Sequence, residues 1–168
     1  SWDEMEGPNK TGYFPYTPAT NLLYGLNEAL DMLLHEEGLE NVFARHKRHG
    51  EAARAAVEAW GLEVLCKVPE HRSPVLTAVM MPEGHSADNF RAVTLRHYDM
   101  SLGNGLSKVA DRVFRIGHLG DFNDLMLCGT LSGVEMGLRD AGVPHKAGGV
   151  QAAMEVLGRK FDGARAAA

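Results

Sequence analysis

Three groups of residues in this 168-residue chain have types and spacings that could do chemistry. The first is Asp111-Arg-Val-Phe-Arg-Ile-Gly-His-Leu-Gly120, which alternates as a strand does and ends in a glycine followed by a cap-forming residue. Side chains of an extended segment point to opposite faces in turn, so Val113, Arg115 and Gly117 share one face while Phe114 and Ile116 share the other. Packing the apolar pair under helices leaves a guanidinium on a rigid element, beside a glycine that removes bulk where another group can approach. Its planar fork fits a carboxylate bidentately, and each charge-assisted bond contributes roughly 1.5–3 kcal/mol. Two readings stand: Arg115 receives the carboxylate of a small acidic substrate, or it lies on an edge strand paired with a neighbouring Asp or Glu.

The second group is His46 and His49, three apart on a predicted helix and so a possible ligand pair. No third ligand of fitting type is near in sequence and Arg45, Lys47 and Arg48 surround them, so they read as a solvated basic face. The third is Met100-Ser-Leu-Gly-Asn-Gly-Leu-Ser107, whose glycines invite comparison with phosphate-binding loops. It lacks both the GxxxxGK[ST] and GxGxxG forms and reads as a short strand and turn leading into the Arg115 strand. Cys66 and Cys128 are single residues in apolar runs without CxxC spacing, which predicts reduced packing residues and no metal or redox site.

These groups must be positioned by a chain that is 45% apolar, enough for a core in one domain or in one incomplete piece of a larger protein. A formal charge of −5 with scattered Lys and Arg gives no basic stripe, which argues against nucleic acid as a partner. The lack of an apolar run near 18 residues and of a signal-like amino end predicts neither a membrane span nor secretion, with bacterial cytoplasm as the default. Residues 1–17 hold Trp2, Tyr13, Phe14 and Tyr16 among prolines and glycines without a helical period. They read as an extended aromatic segment that docks on a partner or a missing domain.

The remaining residues, 18–168, read as one domain with its leading helix. Thr17 can cap that helix and Pro18 suits its first turn, with Leu22, Leu26, Ala29 and Leu33 at helical spacing and Gly38 as the stop. A second helix runs over 40–60 with Phe43, Gly50, Ala53, Val57 and Trp60 on one stripe. Strands follow over 62–68 and 74–81, then a helix over 86–98 capped by Ser86 and presenting Phe90, Val93 and His97. After the Arg115 strand, Asp121 can cap a helix to 141 with Leu125, Cys128, Leu131, Val134 and Leu138 inward, and a last helix spans 149–160 ahead of a low-information tail over 162–168. The order predicts an α+β fold, a small sheet of about four short strands covered on one side by helices, behind an amino-terminal extended segment and long helix.

Five blocks carry a family resemblance: Gly12-Tyr-Phe-Pro-Tyr-Thr-Pro-Ala-Thr-Asn-Leu-Leu-Tyr-Gly-Leu26, Glu37-Gly-Leu-Glu-Asn41, Ser101-Leu-Gly103, Lys108-Val-Ala110 and Val113-Phe-Arg-Ile-Gly-His-Leu-Gly120. Together, in this order, the chain from about Trp2 to Val156 resembles the carboxyl-terminal part of the serine–glyoxylate and alanine–glyoxylate aminotransferases. These are class V, fold type I enzymes that use pyridoxal 5'-phosphate. The resemblance implies a small carboxyl-terminal domain, a homodimer, and small amino acid and 2-oxo acid substrates.

Residue by residue, the resemblance implies that Arg115 binds the substrate's α-carboxylate. It further implies that Thr17, with Tyr13, reaches the cofactor phosphate of the other subunit. A hydroxyl ahead of a helix start is a sound phosphate donor, because free N–H groups and the helix dipole favour an anion there. The capping and phosphate roles compete for one Thr17 oxygen, and the resemblance favours phosphate.

The family's lysine, which forms a Schiff base with the cofactor, belongs to a large domain that precedes the matched region. None of Lys10, Lys47, Lys67, Lys108, Lys146 or Lys160 stands in its context, so no catalytic residue is assigned. This chain alone is expected to be inactive, with transfer of an amino group from serine or alanine to glyoxylate belonging to the complete enzyme. The alternative is a noncatalytic truncated module that associates with a full-length subunit.

Overall fold

A computed structural model describes residues 1–159, which divide into two units, Ser1–Val42 and the chain from Phe43 onward. The amino-terminal unit is not the irregular segment predicted. Trp2–Asn9 forms a helix, α1, because Ser1 and Glu4 make a reciprocal capping box: the Ser1 hydroxyl accepts from the Glu4 N–H and the Glu4 carboxylate reaches the chain's first nitrogen. Pro8 lies in the last turn of α1, where the missing N–H forgoes one hydrogen bond of the helix. The residues after it, Gly12 to Pro18, are irregular as expected.

Helix α2 (Thr20–Asp31) starts later than Thr17 allows: its cap is Ala19, with no side-chain hydrogen bond, so Thr17 does not cap it. A π-helical turn over Met32–Glu37 follows, and Gly38, at a φ of +84°, ends it. No residue of α1, α2 or that turn is buried. Helix α3 (Leu39–Ala59) begins in this unit and continues into the next.

The second unit is built on a fully antiparallel four-stranded sheet in the order β1 (Glu63–Val64), β2 (Leu76–Met80), β4 (Val113–Gly117), β3 (Gly103–Asn104). The strands are shorter than the apolar runs that announced them. The chain leaves β1 after Leu65, whose N–H still bonds to the Ala78 carbonyl, and turns through a 3-10 segment at Pro69–His71. Helix α4 (Ala87–Tyr98), capped by the Ser86 hydroxyl as predicted, lies between β2 and β3, and α5 (Asp124–Asp140) and α6 (Gly149–Gly158) follow β4.

Period-two alternation decides what lies under the helices. Val79 and Thr77 of β2 and Phe114 and Ile116 of β4 are buried on one face, joined by Ala52, Ala53, Ala56 and Val57 of α3, Trp60 just after it, Phe90 of α4, and Leu127, Leu131, Val134 and Leu138 of α5. Fully burying a Val, Leu, Ile or Phe side chain contributes about 1.5–3 kcal/mol. Trp60 sits where three helices meet. Its indole N–H donates to Glu135 at 2.7 Å, and a Cβ on Gly149 would fall 2.2 Å from that nitrogen, so α6 can approach only through a glycine.

Three predicted inward residues are not buried: Phe43 of α3, His97 of α4 and Leu125 of α5 are exposed. The cap of α5 is Asn123, whose Oδ1 accepts from the Met126 N–H at 2.9 Å, rather than Asp121. The last residue of the predicted 149–160 helix and the 162–168 tail lie outside the described residues.

Candidate functional site

The sheet face opposite the core carries Arg115. Across the ladder its neighbours are Ala78 on β2 and Gly103 on β3, so the guanidinium rises between two small residues. Its stem lies directly over Gly103, where an added Cβ would meet the Arg115 Cβ at 3.0 Å and Nε at 3.1 Å. Leu76, Ala78 and Met80, which line the same face of β2, are half-buried, in contrast with Thr77 and Val79 behind them.

The strand that holds Arg115 is interior to the sheet, between β2 and β3, which removes the edge-strand alternative. No carboxylate pairs with Arg115 among the described residues, and its Nε is buried without a hydrogen-bond partner. Gly117, two residues on along the same face, has nothing within 4 Å of where a Cβ would stand. A fixed cation with unused donors beside open space is equipped to take an anionic group.

The loop after β4 is clamped by one face of α3. Arg45 Nη1 donates to the carbonyls of Gly120 at 2.7 Å and Phe122 at 3.0 Å, and the Gly120 N–H donates to His46 Nε2 at 3.1 Å. One turn further, Arg48 Nη2 and His49 Nε2 converge on Asp124 Oδ1 at 2.7 and 2.9 Å. His46 and His49 are therefore not a solvated basic face: they are 6% and 0% exposed. The predicted reading fails because each ring and each arginine engages a group some 75 residues away in sequence, although Arg48 Nε and His49 Nδ1 are buried without a partner.

Burial lowers the pKa of His49 below its ordinary value, against the opposing pull of Asp124. At the other end of the loop His118 is fully buried, shares a 3.0 Å hydrogen bond with Thr77, and is lowered to about 4 by desolvation. The end of β4 is thus fixed by side chains that the sequence pattern did not assign to it. The signal available was the alternation of long cations with histidines at 45, 46, 48 and 49 on a helix whose other face is alanine-rich.

Tyr13 and Thr17 belong to the amino-terminal unit. They lie together along the irregular segment Gly12–Pro18, which encloses an open concavity of about 900 Å³, and both side chains are exposed. Neither hydroxyl has a partner among the described residues. Arg115 stands in the other unit.

Cys66 and Cys128 are both free thiols, and no cluster of His, Cys, Asp and Glu suited to a metal exists among the described residues. Among those residues no helix is long and apolar enough to cross a membrane.

No family model matches the chain. It is 52% identical over 157 residues to a serine–glyoxylate aminotransferase of Methylorubrum extorquens, covering 93% of this chain and 39% of that protein. It is 53% identical over 158 residues to the serine–glyoxylate aminotransferase of Arabidopsis thaliana, again covering 93% of this chain and 39% of the relative. The structure superposes on a ureidoglycine–glyoxylate aminotransferase from Bacillus subtilis with a TM-score of 0.80 at 28% identity, over 93% of this chain and 40% of that one. The chain thus spans about two fifths of the length of the proteins it matches.

Proposed function

Because the chain belongs to the serine–glyoxylate and alanine–glyoxylate aminotransferase family and matches a carboxyl-terminal portion of its members, we propose that it serves a pyridoxal-phosphate enzyme that moves an amino group from serine or alanine to glyoxylate. In that reading Arg115 receives the α-carboxylate common to donor and acceptor. The observation that carries it is the state of Arg115: held over Gly103, interior to the sheet, on the face away from the core, and without a carboxylate partner among the described residues. An Arg retained for structure alone would be expected to pair, since a desolvated, unpaired polar group costs free energy.

The cofactor reading rests on the chemistry of the donors. Tyr13 and Thr17 offer two hydroxyls along one concave segment, and the α2 start that follows has no side-chain cap to compete for an anion. They fit a phosphate group, and in a homodimer they would serve the cofactor of the other subunit. When bound, pyridoxal phosphate supplies the electron sink and carries the amino group between the half-reactions. This chain's own contribution is to orient: two parallel N–H donors on a carboxylate fix which face of the substrate's α-carbon is presented.

Trp2, Tyr13, Phe14 and Tyr16, together with Leu22 and Tyr24 of α2, are exposed in the unit they form, and this surface is read as the contact with a large domain or the dimer mate. The test is Arg115→Ala in the complete enzyme. KM for serine and alanine should rise while the cofactor's absorbance shows that it is still bound; an unchanged KM removes Arg115 from the site.

A further inference from the structure

A second cationic site lies on the far side of α3 from the sheet. The outward face of α3, the turn at 69–74 and the end of α6 enclose a groove of about 540 Å³ into which Lys47, Arg54, Arg72 and Arg159 project, with Glu51 and Glu58 on its α3 wall. Cations outnumber carboxylates there four to two, on a chain whose formal charge is −5. None of the four makes an ion pair with a carboxylate among the described residues, the two glutamates included.

The two central guanidiniums are fixed by main chain instead. Arg54 Nη1 donates to the Ser73 carbonyl at 3.3 Å, and Arg72 Nε donates to the Cys66 carbonyl at 3.2 Å. Arg54 is further pressed into place at Gly50, where a Cβ would fall 3.0 Å from its Nη1 and 3.1 Å from the Pro74 carbonyl oxygen. None of the other guanidinium nitrogens of Arg54 or Arg72 is buried without a partner, and both residues line the groove. Burial first, and the like charge of Arg72 second, lower the pKa of Arg54 from its ordinary value. Glu51 and Glu58 oppose that shift without forming an ion pair, so the cationic excess is only partly offset; an arriving anion relieves the rest, and planar forks match tetrahedral oxyanions.

We propose that this groove binds the phosphate group of a small metabolite, with Arg54 and Arg72 as the paired donors and Lys47 and Arg159 at the rim. A volume of about 540 Å³ falls within the range of about 300–1,000 Å³ typical of small-molecule sites, which leaves room for an organic group beyond the phosphate itself. The assignment does not depend on the aminotransferase reading.

The test is calorimetric titration of the cofactor-loaded complete protein with inorganic phosphate and with glycerol 3-phosphate, at ionic strength held constant with chloride. Saturable binding is expected, weakened at least tenfold by Arg72→Gln and by Arg54→Gln, and several-fold by Lys47→Gln, whose exposed position leaves the fold untouched. Arg115→Ala should leave it unchanged, which separates this site from the carboxylate site. Tighter binding of glycerol 3-phosphate identifies a phosphomonoester as the occupant, and equal binding identifies the free anion. No saturable heat, or equal affinity in wild type, Arg72→Gln and Lys47→Gln, overturns the proposal.

Discussion

A guanidinium whose Nε is buried without a partner is a free-energy debt that a well-packed domain normally avoids, so the surroundings of Arg115 carry information. Its neighbours are small by register: Ala78 on one side, Gly103 on the other. The Gly103 backbone needs no glycine conformation, since its φ lies outside the left-handed region, so the requirement there is for space alone. Gly103→Ala should therefore push the Arg115 stem by a few tenths of an ångström without unfolding the sheet. In the complete enzyme we expect KM for the amino donor to rise about tenfold, since small misplacements of a positioning group are amplified in rate. Thermal unfolding should move by only a few degrees, and an unchanged KM would show that the stem tolerates the added methyl.

At the scale of elements, α3 is the part that sets the site. Its buried alanines bring it close to the sheet, and Arg45, His46, Arg48 and His49 fasten the loop that leaves β4. Asp124→Asn would strip the charge on which Arg48 and His49 converge. With the arginine and aspartate side chains each about a quarter exposed, the loss should be about 1–3 kcal/mol of unfolding free energy, read from the urea midpoint. A midpoint within error of wild type would mean that the clamp contributes nothing.

This clamp was illegible in the sequence for a physical reason. Cations and histidines on a helix look solvated unless one knows that the Gly120 carbonyl and the Asp124 carboxylate arrive opposite them. Features decided within a few residues were legible: the β4 alternation, the Ser86 cap, and the Leu131, Val134 and Leu138 stripe. Ser1 and Glu4 show the converse. The capping box was in plain sight, but the prolines and glycines around it suggested an irregular segment. Arg115 was found because its strand pattern is local; the absence of a carboxylate beside it was not local, and only the folded chain reveals it.

For the whole molecule, two buried histidines tie stability to pH. His118 stays neutral until about pH 4 when folded, whereas an unfolded histidine takes up its proton near 6.5. Below pH 6.5 the unfolded state therefore binds the extra proton, and stability falls as pH drops through the window from 6.5 to about 4; His49 acts in the same direction. Between pH 7 and 4.5, His118→Gln should lose about 2–3 kcal/mol less unfolding free energy than wild type, as measured in urea. Equal losses would show that His118 is not the titrating group.

Whether Arg115 holds the substrate's carboxylate is read from a pair of amines in the complete enzyme. Serine and ethanolamine differ by the carboxylate alone. Arg115→Ala should lower kcat/KM for serine by about 10²–10⁴-fold, corresponding to two charge-assisted hydrogen bonds, and leave kcat/KM for ethanolamine within about threefold of wild type. An equal loss with both amines would contradict the claim that this guanidinium reads the carboxylate.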